Sequence, residues 1–247
     1  MMTIEPAPRI IEPSRAELPA PVSRWLQVAY PDGVPDVDTL VFEGSARIKR
    51  GRMPWIPIHA RMHHRLGRDH VADMRIKLGP LTLLRVIDAS IAGVGISKVG
   101  RTADLGPQID QGAFLFLWGE ALIYPSSWPY LPGMRWESVN EATVRVHLPF
   151  RGGFEVATLS FDRTTGQVVR FEADRYKGAR GTKVRWRGDY LDWRLFDGVL
   201  TPGRILVTWL DEPAPWFEMR VERVLADVSI DRALAAAREA IAKAKRR

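Results

Sequence analysis

Glu120 is the residue of this sequence whose type and surroundings point most directly to chemistry. On a helix it lies next to Phe116, Leu117 and Ile123, so its carboxyl group is close to the apolar face. Burial of an unpaired carboxylate is costly, and Glu120 must therefore find a partner or stay protonated. Two hypotheses stay open: Glu120 anchors a ligand head group or acts as a general acid, or it forms a structural ion pair with an arginine of the sheet.

Arg175 is the arginine that the pattern offers as this partner. Val169, Phe171, Ala173 and Arg175 alternate along one predicted strand, and side chains two residues apart lie on the same face of a strand. Arg175 therefore shares the apolar face of its strand. We expect Glu120 and Arg175 at the polar end of any cavity that this face encloses.

Four of the five histidines are close in sequence: His59, His63, His64 and His70. An H-x-x-x-H pair on a helix would present both imidazoles to a zinc ion, but the apolar alternation here predicts a strand. Four residues of a strand span about 13 Å, so His59 and His63 cannot share a metal. His64 and His70 could still face each other across a turn over residues 65–69. We expect no metal site and an exposed basic hairpin.

The chain holds nine tryptophans, most of them in its second half. Large aromatic side chains can line an apolar cavity while their indole N–H groups supply a few polar contacts. The alternative is an ordinary sheet core. As candidate ligand contacts we select Trp118, Trp136, Trp186 and Trp209.

Several common kinds of chemistry are missing. The sequence has no cysteine, which excludes disulfides, a thiolate nucleophile and cysteine-ligated metals. It has no G-x-S-x-G elbow, no Walker A loop and no dinucleotide fingerprint. We expect no cofactor, assign no catalytic residue, and leave open whether the protein is an enzyme.

The net charge is +7, from 36 Lys and Arg against 29 Asp and Glu. The arginines mostly alternate with apolar residues along predicted strands, so they belong to a solvated face. Binding to nucleic acid, or to an anionic membrane surface, is therefore a weaker alternative.

The pattern of elements predicts a mainly β protein of the α+β type. A helix over residues 21–29 precedes a first run of strands. A helix over 111–124, capped by Asp110, separates this run from a second run of strands. A helix over 230–245, capped by Ser229, follows the second run. About ten strands with frequent turns predict a single curved antiparallel sheet or half-barrel, with the central apolar helix packed inside.

We divide the chain into an extended N-terminal arm (1–17), a single β-rich domain (18–228) and a basic C-terminal helix (229–247). The first seventeen residues contain three prolines and no apolar stretch of the kind found in signal peptides. We therefore expect a cytoplasmic protein.

A series of Trp, Pro, Gly and acidic positions comes in a recognisable order. It comprises Trp55 to Ile58, Asp88-Ala89, Gly119 to Ala121, Leu131 to Gly133, Trp136-Glu137, Phe161-Asp162, Asp174 to Tyr176, Trp186 with Tyr190, Gly198 with Pro202, and Trp209. From Leu18 to Trp216 the chain resembles the bacterial domain of unknown function 6544 family, for which no activity is established. The resemblance implies a half-barrel like that of the periplasmic lipoprotein carriers, with helices over an apolar cavity. Asn140 stands where an Asp would be usual in the family.

These observations favour a protein that binds an apolar or amphipathic small molecule, lipid-like, in a cavity between sheet and helix. The first alternative is an enzyme that acts on such a ligand with Glu120 as acid or base. The second is a weak binder of nucleic acid or of anionic membrane surfaces through the arginine-rich strands. The oligomeric state stays open.

Overall fold

The structure, a computed structural model, describes residues 18–49, 51, 53–124, 126, 128–196 and 198–246. The predicted N-terminal arm, residues 1–17, lies outside the described residues. The helices are α1 (Ala20–Ala29), α2 (Pro107–Ala121) and α3 (Asp231–Lys245), with a short 3-10 turn at Trp128–Tyr130. The strands are β1 (Thr39–Ile48), β2 (Ile56–Arg65), β3 (Asp69–Leu78), β4 (Leu81–Ile91), β5 (Val94–Val99), β6 (Thr102–Asp104), β7 (Arg135–Asn140), β8 (Thr143–Phe150), β9 (Gly153–Phe161), β10 (Val168–Tyr176), β11 (Lys183–Phe196), β12 (Val199–Trp209) and β13 (Phe217–Ala226).

All of these strands form one open antiparallel sheet in the order β6-β5-β4-β3-β2-β1-β13-β12-β11-β10-β9-β8-β7. Neighbours in the sheet are neighbours in sequence except at the centre, where β1 pairs with β13 and so joins the two runs. The prediction of a single antiparallel sheet with helices is confirmed, with thirteen strands instead of about ten.

Successive hairpin connections of an antiparallel sheet alternate between its two ends. The connections β1–β2, β3–β4, β5–β6, β8–β9, β10–β11 and β12–β13 therefore lie at one end of the sheet, which we call the mouth end. The connections β2–β3, β4–β5, β7–β8, β9–β10 and β11–β12 lie at the opposite end.

Helix α2 is apolar on almost every side and is buried against the inner face of the sheet, as a helix without a polar face must be. It begins at Pro107, four residues before the predicted start. Asp110 is therefore not its N-cap: its Oδ1 atom accepts a hydrogen bond from the backbone N–H of Gly95 at 2.6 Å, and its Oδ2 atom pairs with Arg151.

The other two helices pack against opposite faces of the sheet. Trp25 of α1 lies in the main core with its ring edge-on to Phe161. Helix α3 covers the outer face, where Leu234 and Ile241 join a second apolar cluster with Ile87 of β4. It begins at Asp231, one residue after the predicted start, so its N-cap is Ile230 and the predicted cap Ser229 is wrong; the Ser229 hydroxyl still accepts a hydrogen bond from the backbone N–H of Asp231 at 3.4 Å. Within the described part of the chain, no helix is both long and apolar enough to cross a membrane.

Candidate functional site

The side chain of Arg175 enters the space between β10 and helix α2. Strand alternation turns it inward, on the same face as Phe171 and Ala173. Its Nε atom donates a hydrogen bond to the carbonyl oxygen of Gly112 at 2.9 Å. A Cβ atom at position 112 would lie 3.3 Å from that nitrogen, so a glycine leaves the guanidinium room to lie against the helix.

Three aromatic rings surround the Arg175 guanidinium. Its central carbon lies 5.5 Å from the ring centroid of Phe116, 5.2 Å from that of Trp186 and 5.3 Å from that of Trp209. Cations are attracted to aromatic faces at such distances. The arrangement holds the charged group in place without a carboxylate partner.

The charge of Arg175 is not neutralised by direct contact. Among the residues that the structure describes, its guanidinium forms no ion pair, and the nearest carboxyl groups, those of Asp88 and Glu120, act on it only through space. Burial lowers the pKa of Arg175 to about 10, with both carboxyl groups opposing this shift. Arg175 therefore stays charged at neutral pH.

Glu120 has a different partner from the one predicted. Its Oε2 atom lies 2.6 Å from Nε2 of His64 and 3.5 Å from Nε2 of His70. The sequence left open whether His64 and His70 meet; the register of the β2–β3 hairpin places them opposite each other, with ring centroids 5.4 Å apart. Their predicted exposure is wrong: both are fully buried, because the C-terminal half of α2 covers this part of the hairpin.

Burial governs the protonation of the groups around Arg175. It raises the pKa of Glu120, although the hydrogen bond with His64 opposes the shift. It also raises the pKa of Asp88, against a hydrogen bond with Ser97 and the charge of Arg175. It lowers the pKa of His70 well below its usual range. The two carboxyl groups are pushed towards their uncharged forms, while Arg175 keeps its charge.

Beside this cluster lies a cavity of about 570 Å³, within the range of small-molecule sites. It lies between the N-terminal half of α2 and the sheet and opens at the mouth end, where Lys49, Gly51, Lys177, Gly178, Glu212 and Trp216 line it. Deeper, Phe116, Trp209 and Ala113 form an apolar wall, and Arg175, His70 and Asp88 supply polar groups.

The C-terminal half of α2 encloses almost no free space. The void between it and the sheet, lined by Glu120, Trp186 and Tyr190 among others, has a volume of only about 20 Å³. The hydroxyl of Tyr190 donates to the carbonyl oxygen of Gly119 at 2.6 Å and fixes the helix to β11. The cavity between sheet and helix is therefore confined to one end of the helix.

The four selected tryptophans lie in different places. Trp209 lines the cavity, and Trp186 lies behind Arg175 against Phe171. Trp118 packs edge-on to Phe114, and the indole N–H of Trp136 donates to the carbonyl oxygen of Pro129 at 3.3 Å. Neither Trp118 nor Trp136 lines the cavity.

Most of the cavity lining was missed as ligand contacts by the sequence reasoning, including the polar residues His70, Asp88 and Trp216. Both ring nitrogens of His70 and the indole nitrogen of Trp216 are buried without a hydrogen-bond partner among the described residues. Asp88 is the only charged residue between Val86 and Ser97, and this isolated carboxyl in an apolar stretch was the available signal. Within the described residues, no group of three or more histidine or acidic side chains is arranged to hold a metal ion.

The comparison with protein families shows which family this chain belongs to. Residues 8–219 match the family of unknown function DUF6544. The chain belongs to this family. No curated protein matches it.

Solved structures place this DUF6544 member in a known fold. A LolA superfamily protein from Nitrosomonas europaea is 8% identical, with a TM-score of 0.53 over 87% of this chain and 96% of that chain. A DUF1329 family protein from Desulfovibrio piger is 12% identical, with a TM-score of 0.49 over 87% and 95%. A putative outer membrane lipoprotein-sorting protein domain from Vibrio parahaemolyticus is 10% identical, with a TM-score of 0.46 over 85% and 94%. The first similarity confirms the expected LolA-like fold, and fold alone does not carry function.

Proposed function

We propose that this protein binds a small amphipathic molecule with an anionic head group in the cavity beside Arg175. The observation that carries the proposal is the Arg175 guanidinium, which is charged, lies at the cavity and forms no ion pair among the described residues. Arg175 is half-buried, and a charge withdrawn from water in this way without an ion-pair partner is costly; an anionic ligand would reduce that cost.

Apolar side chains line the part of the cavity that would hold the apolar portion of the ligand. Phe116 and Ala113 of α2 face Trp209 of β12 across the cavity, and Trp216 closes the side next to the mouth. Aromatic side chains of this kind contribute large contact areas in ligand sites, while a few polar groups fix the orientation. Nδ1 of His70 and Nε1 of Trp216, which have no hydrogen-bond partner among the described residues, are polar groups available beside Arg175.

The fold supports the apolar part of the proposal only in a general way. The LolA superfamily protein from Nitrosomonas europaea is 8% identical to this chain, so the likeness extends to the fold and not to a particular ligand. The anionic character of the ligand rests on Arg175 and not on this likeness.

A second candidate function is catalysis on the bound molecule. His70 lines the cavity, and its Nε2 atom lies 3.5 Å from the Glu120 carboxyl oxygen, so this histidine connects Glu120 with the cavity. A proton relay of that type is a common form of general acid–base catalysis. Within this hypothesis Glu120 is a positioning residue, because it does not line the cavity.

The test is a titration with three ligands that share one chain: decanoate, decyl phosphate and decanol. Binding is followed by tryptophan fluorescence, since Trp209 and Trp216 line the cavity, and native mass spectrometry of freshly purified protein records any molecule already bound. We expect both anions to bind more tightly than decanol, and the better anion identifies the head group. Equal affinity for all three, or no binding of any, would contradict the proposal.

A further inference from the structure

The tip of the β3–β4 hairpin exposes three leucines to solvent. Leu78, Leu81 and Leu83 are 67%, 64% and 61% exposed, on either side of a tight turn at Gly79 and Pro80. Neighbouring Val99, next to the β5–β6 turn, is 47% exposed. Scattered apolar side chains are normal on a protein surface, but a contiguous group on a protruding turn marks a contact site.

Positive charge lies behind this group, on the outer face of the sheet: the register pairs Leu78 with Leu81 and Lys77 with Thr82, so Lys77 points to the face opposite Leu78. Residues 74–103 contain five cations, namely Arg75, Lys77, Arg85, Lys98 and Arg101, and a single carboxyl group, Asp88, which faces the cavity. Asp73 pairs with Arg75 and Arg85 at 2.6 and 2.9 Å, whereas Lys77 and Lys98 form no ion pair among the described residues.

A basic groove runs behind the two turns. It has a volume of about 530 Å³ and lies between the outer face of the sheet and the C-terminal part of α3. Arg85, Lys98 and Arg101 line one side and Lys243 the other, with Glu239 as the single acidic residue. The groove and the leucines together form what we call the leucine–lysine surface.

The leucine–lysine surface lies at the same end of the sheet as the opening of the cavity. The β3–β4 and β5–β6 turns belong to the mouth end, together with the β1–β2, β10–β11 and β12–β13 connections that supply the cavity's entrance residues. The opposite end also carries an exposed leucine, Leu195, at 69%. Within the described residues, however, that leucine has no comparable group of leucines beside it.

We propose that the leucine–lysine surface docks this protein on an anionic lipid bilayer. The leucines at the hairpin tip would enter the boundary between head groups and acyl chains, and the cations on the outer face behind them would contact anionic head groups. Nucleic acid would use the cations but leave the leucines exposed to water. A bilayer would contact the cations and also bury the leucines, and the docked protein would present its cavity opening to the lipid. The proposal stands independently of the ligand in the cavity, because none of the three leucines lines it.

The test is co-sedimentation of the full chain with vesicles of phosphatidylcholine alone and of phosphatidylcholine with phosphatidylglycerol. We expect binding to the vesicles that contain phosphatidylglycerol, and weaker binding as salt is added, because the cations are screened. The combined variant Leu78→Ser, Leu81→Ser and Leu83→Ser should bind at least about tenfold more weakly, since each exposed leucine loses apolar contact with the bilayer. Lys77→Gln and Lys98→Gln should each weaken binding about fivefold.

The matched control is Leu195→Ser, which removes an equally exposed leucine from the opposite end and should bind like the wild type. Melting temperatures confirm that all variants are folded, because substitutions at such exposed sites have small effects on stability. The proposal is overturned if the wild type fails to bind vesicles containing phosphatidylglycerol, or if the triple variant and Leu195→Ser lose affinity to the same extent. It is also overturned if sedimentation velocity without lipid shows that the three leucines instead hold two copies of the chain together.

Discussion

Gly112 gives Arg175 its position beside helix α2. Nε of Arg175 donates to the Gly112 carbonyl oxygen at 2.9 Å, and a Cβ atom at position 112 would lie 3.3 Å from Nε and 3.4 Å from Nη2. The absence of a side chain at one helical position therefore lets a charged group from the sheet lie against the helix and face the cavity. We infer that this contact holds the Arg175 guanidinium where it can bind the anionic head group.

Gly112→Ala should separate stability from binding. Alanine favours a helix over glycine by about 1 kcal/mol, so the free energy of unfolding should stay the same or rise. The new methyl group must displace the guanidinium by a few tenths of an ångström, and the affinity for decanoate should fall several-fold. The measurements are urea unfolding and a fluorescence titration. Unchanged decanoate affinity in a folded Gly112→Ala protein would show that this contact does not set the site.

Gly95→Ala should destabilise the protein through the close approach of β5 to α2. A Cβ atom at position 95 would lie 2.6 Å from the carbonyl oxygen of Ile109 and 2.8 Å from Cα of Asp110, and neither backbone atom can rotate away. Overpacking of this type costs about 1–3 kcal/mol, which urea unfolding measures. The control is Gly153→Ala, where the nearest atom is 3.8 Å away and little change is expected. Equal stability of the two variants would contradict the described packing.

Glu120→Gln should weaken the fold and leave ligand binding in place. The substitution replaces the buried carboxyl group that lies 2.6 Å from His64, and a poorly satisfied buried hydrogen bond costs about 1–3 kcal/mol. Because Glu120 does not line the cavity, the affinity for decanoate should change less than threefold or so. A large loss of affinity at unchanged stability would instead make Glu120 a direct ligand contact.

Stability should decrease as the pH falls below 6.5. Burial and the nearby charge of Arg61 lower the pKa of His63 from 6.5 to about 4, and burial lowers that of His70 further. When the pKa of a histidine is lower in the folded state, the unfolded chain binds the proton at a higher pH than the folded chain does. Acid therefore favours unfolding in the pH range between the two pKa values. The loss is at most about 1.4 kcal/mol per pH unit for each histidine.

Glu120 changes the free energy of unfolding in the opposite direction. Its pKa is raised in the folded state, so the stability that it contributes is lost as the pH rises through the pKa of the folded state. The comparison of wild type with His63→Gln isolates the histidine. Urea unfolding between pH 6.5 and about 4 should show a shallower decline for His63→Gln. Parallel curves would mean that His63 keeps an ordinary pKa.

The sequence allowed the sheet, the buried helix and the inward face of Arg175 to be predicted, because each depends on local periodicity. The sequence left open whether His64 and His70 meet, and the register of the β2–β3 hairpin places them opposite each other. Their burial could not be predicted in this way, because it depends on where the C-terminal half of α2 crosses the β2–β3 hairpin. The same crossing gave Glu120 a histidine partner in place of Arg175.

The location of the cavity was beyond sequence reasoning for a related reason. Trp118 and Trp209 look equivalent as buried aromatics, yet only Trp209 lines the space at the N-terminal half of α2. Which end of a buried helix leaves free volume depends on side chains from many strands at once. Trp216 lies next to Phe217 at the start of β13 and reaches the cavity only because the β12–β13 connection closes over the mouth end.

The affinities of Arg175 variants for decanoate and decanol show directly whether Arg175 binds an anionic head group. Arg175→Met keeps the unbranched aliphatic part of the side chain and removes its charge together with the hydrogen bond to Gly112, and loss of a half-buried charge without an ion-pair partner should leave stability nearly unchanged. We predict that Arg175→Met binds decanoate at least about thirtyfold more weakly than wild type, that Arg175→Lys lies between them, and that decanol binds all three alike. If folded Arg175→Met keeps the wild-type preference for decanoate over decanol, then Arg175 does not bind the head group and our account is wrong.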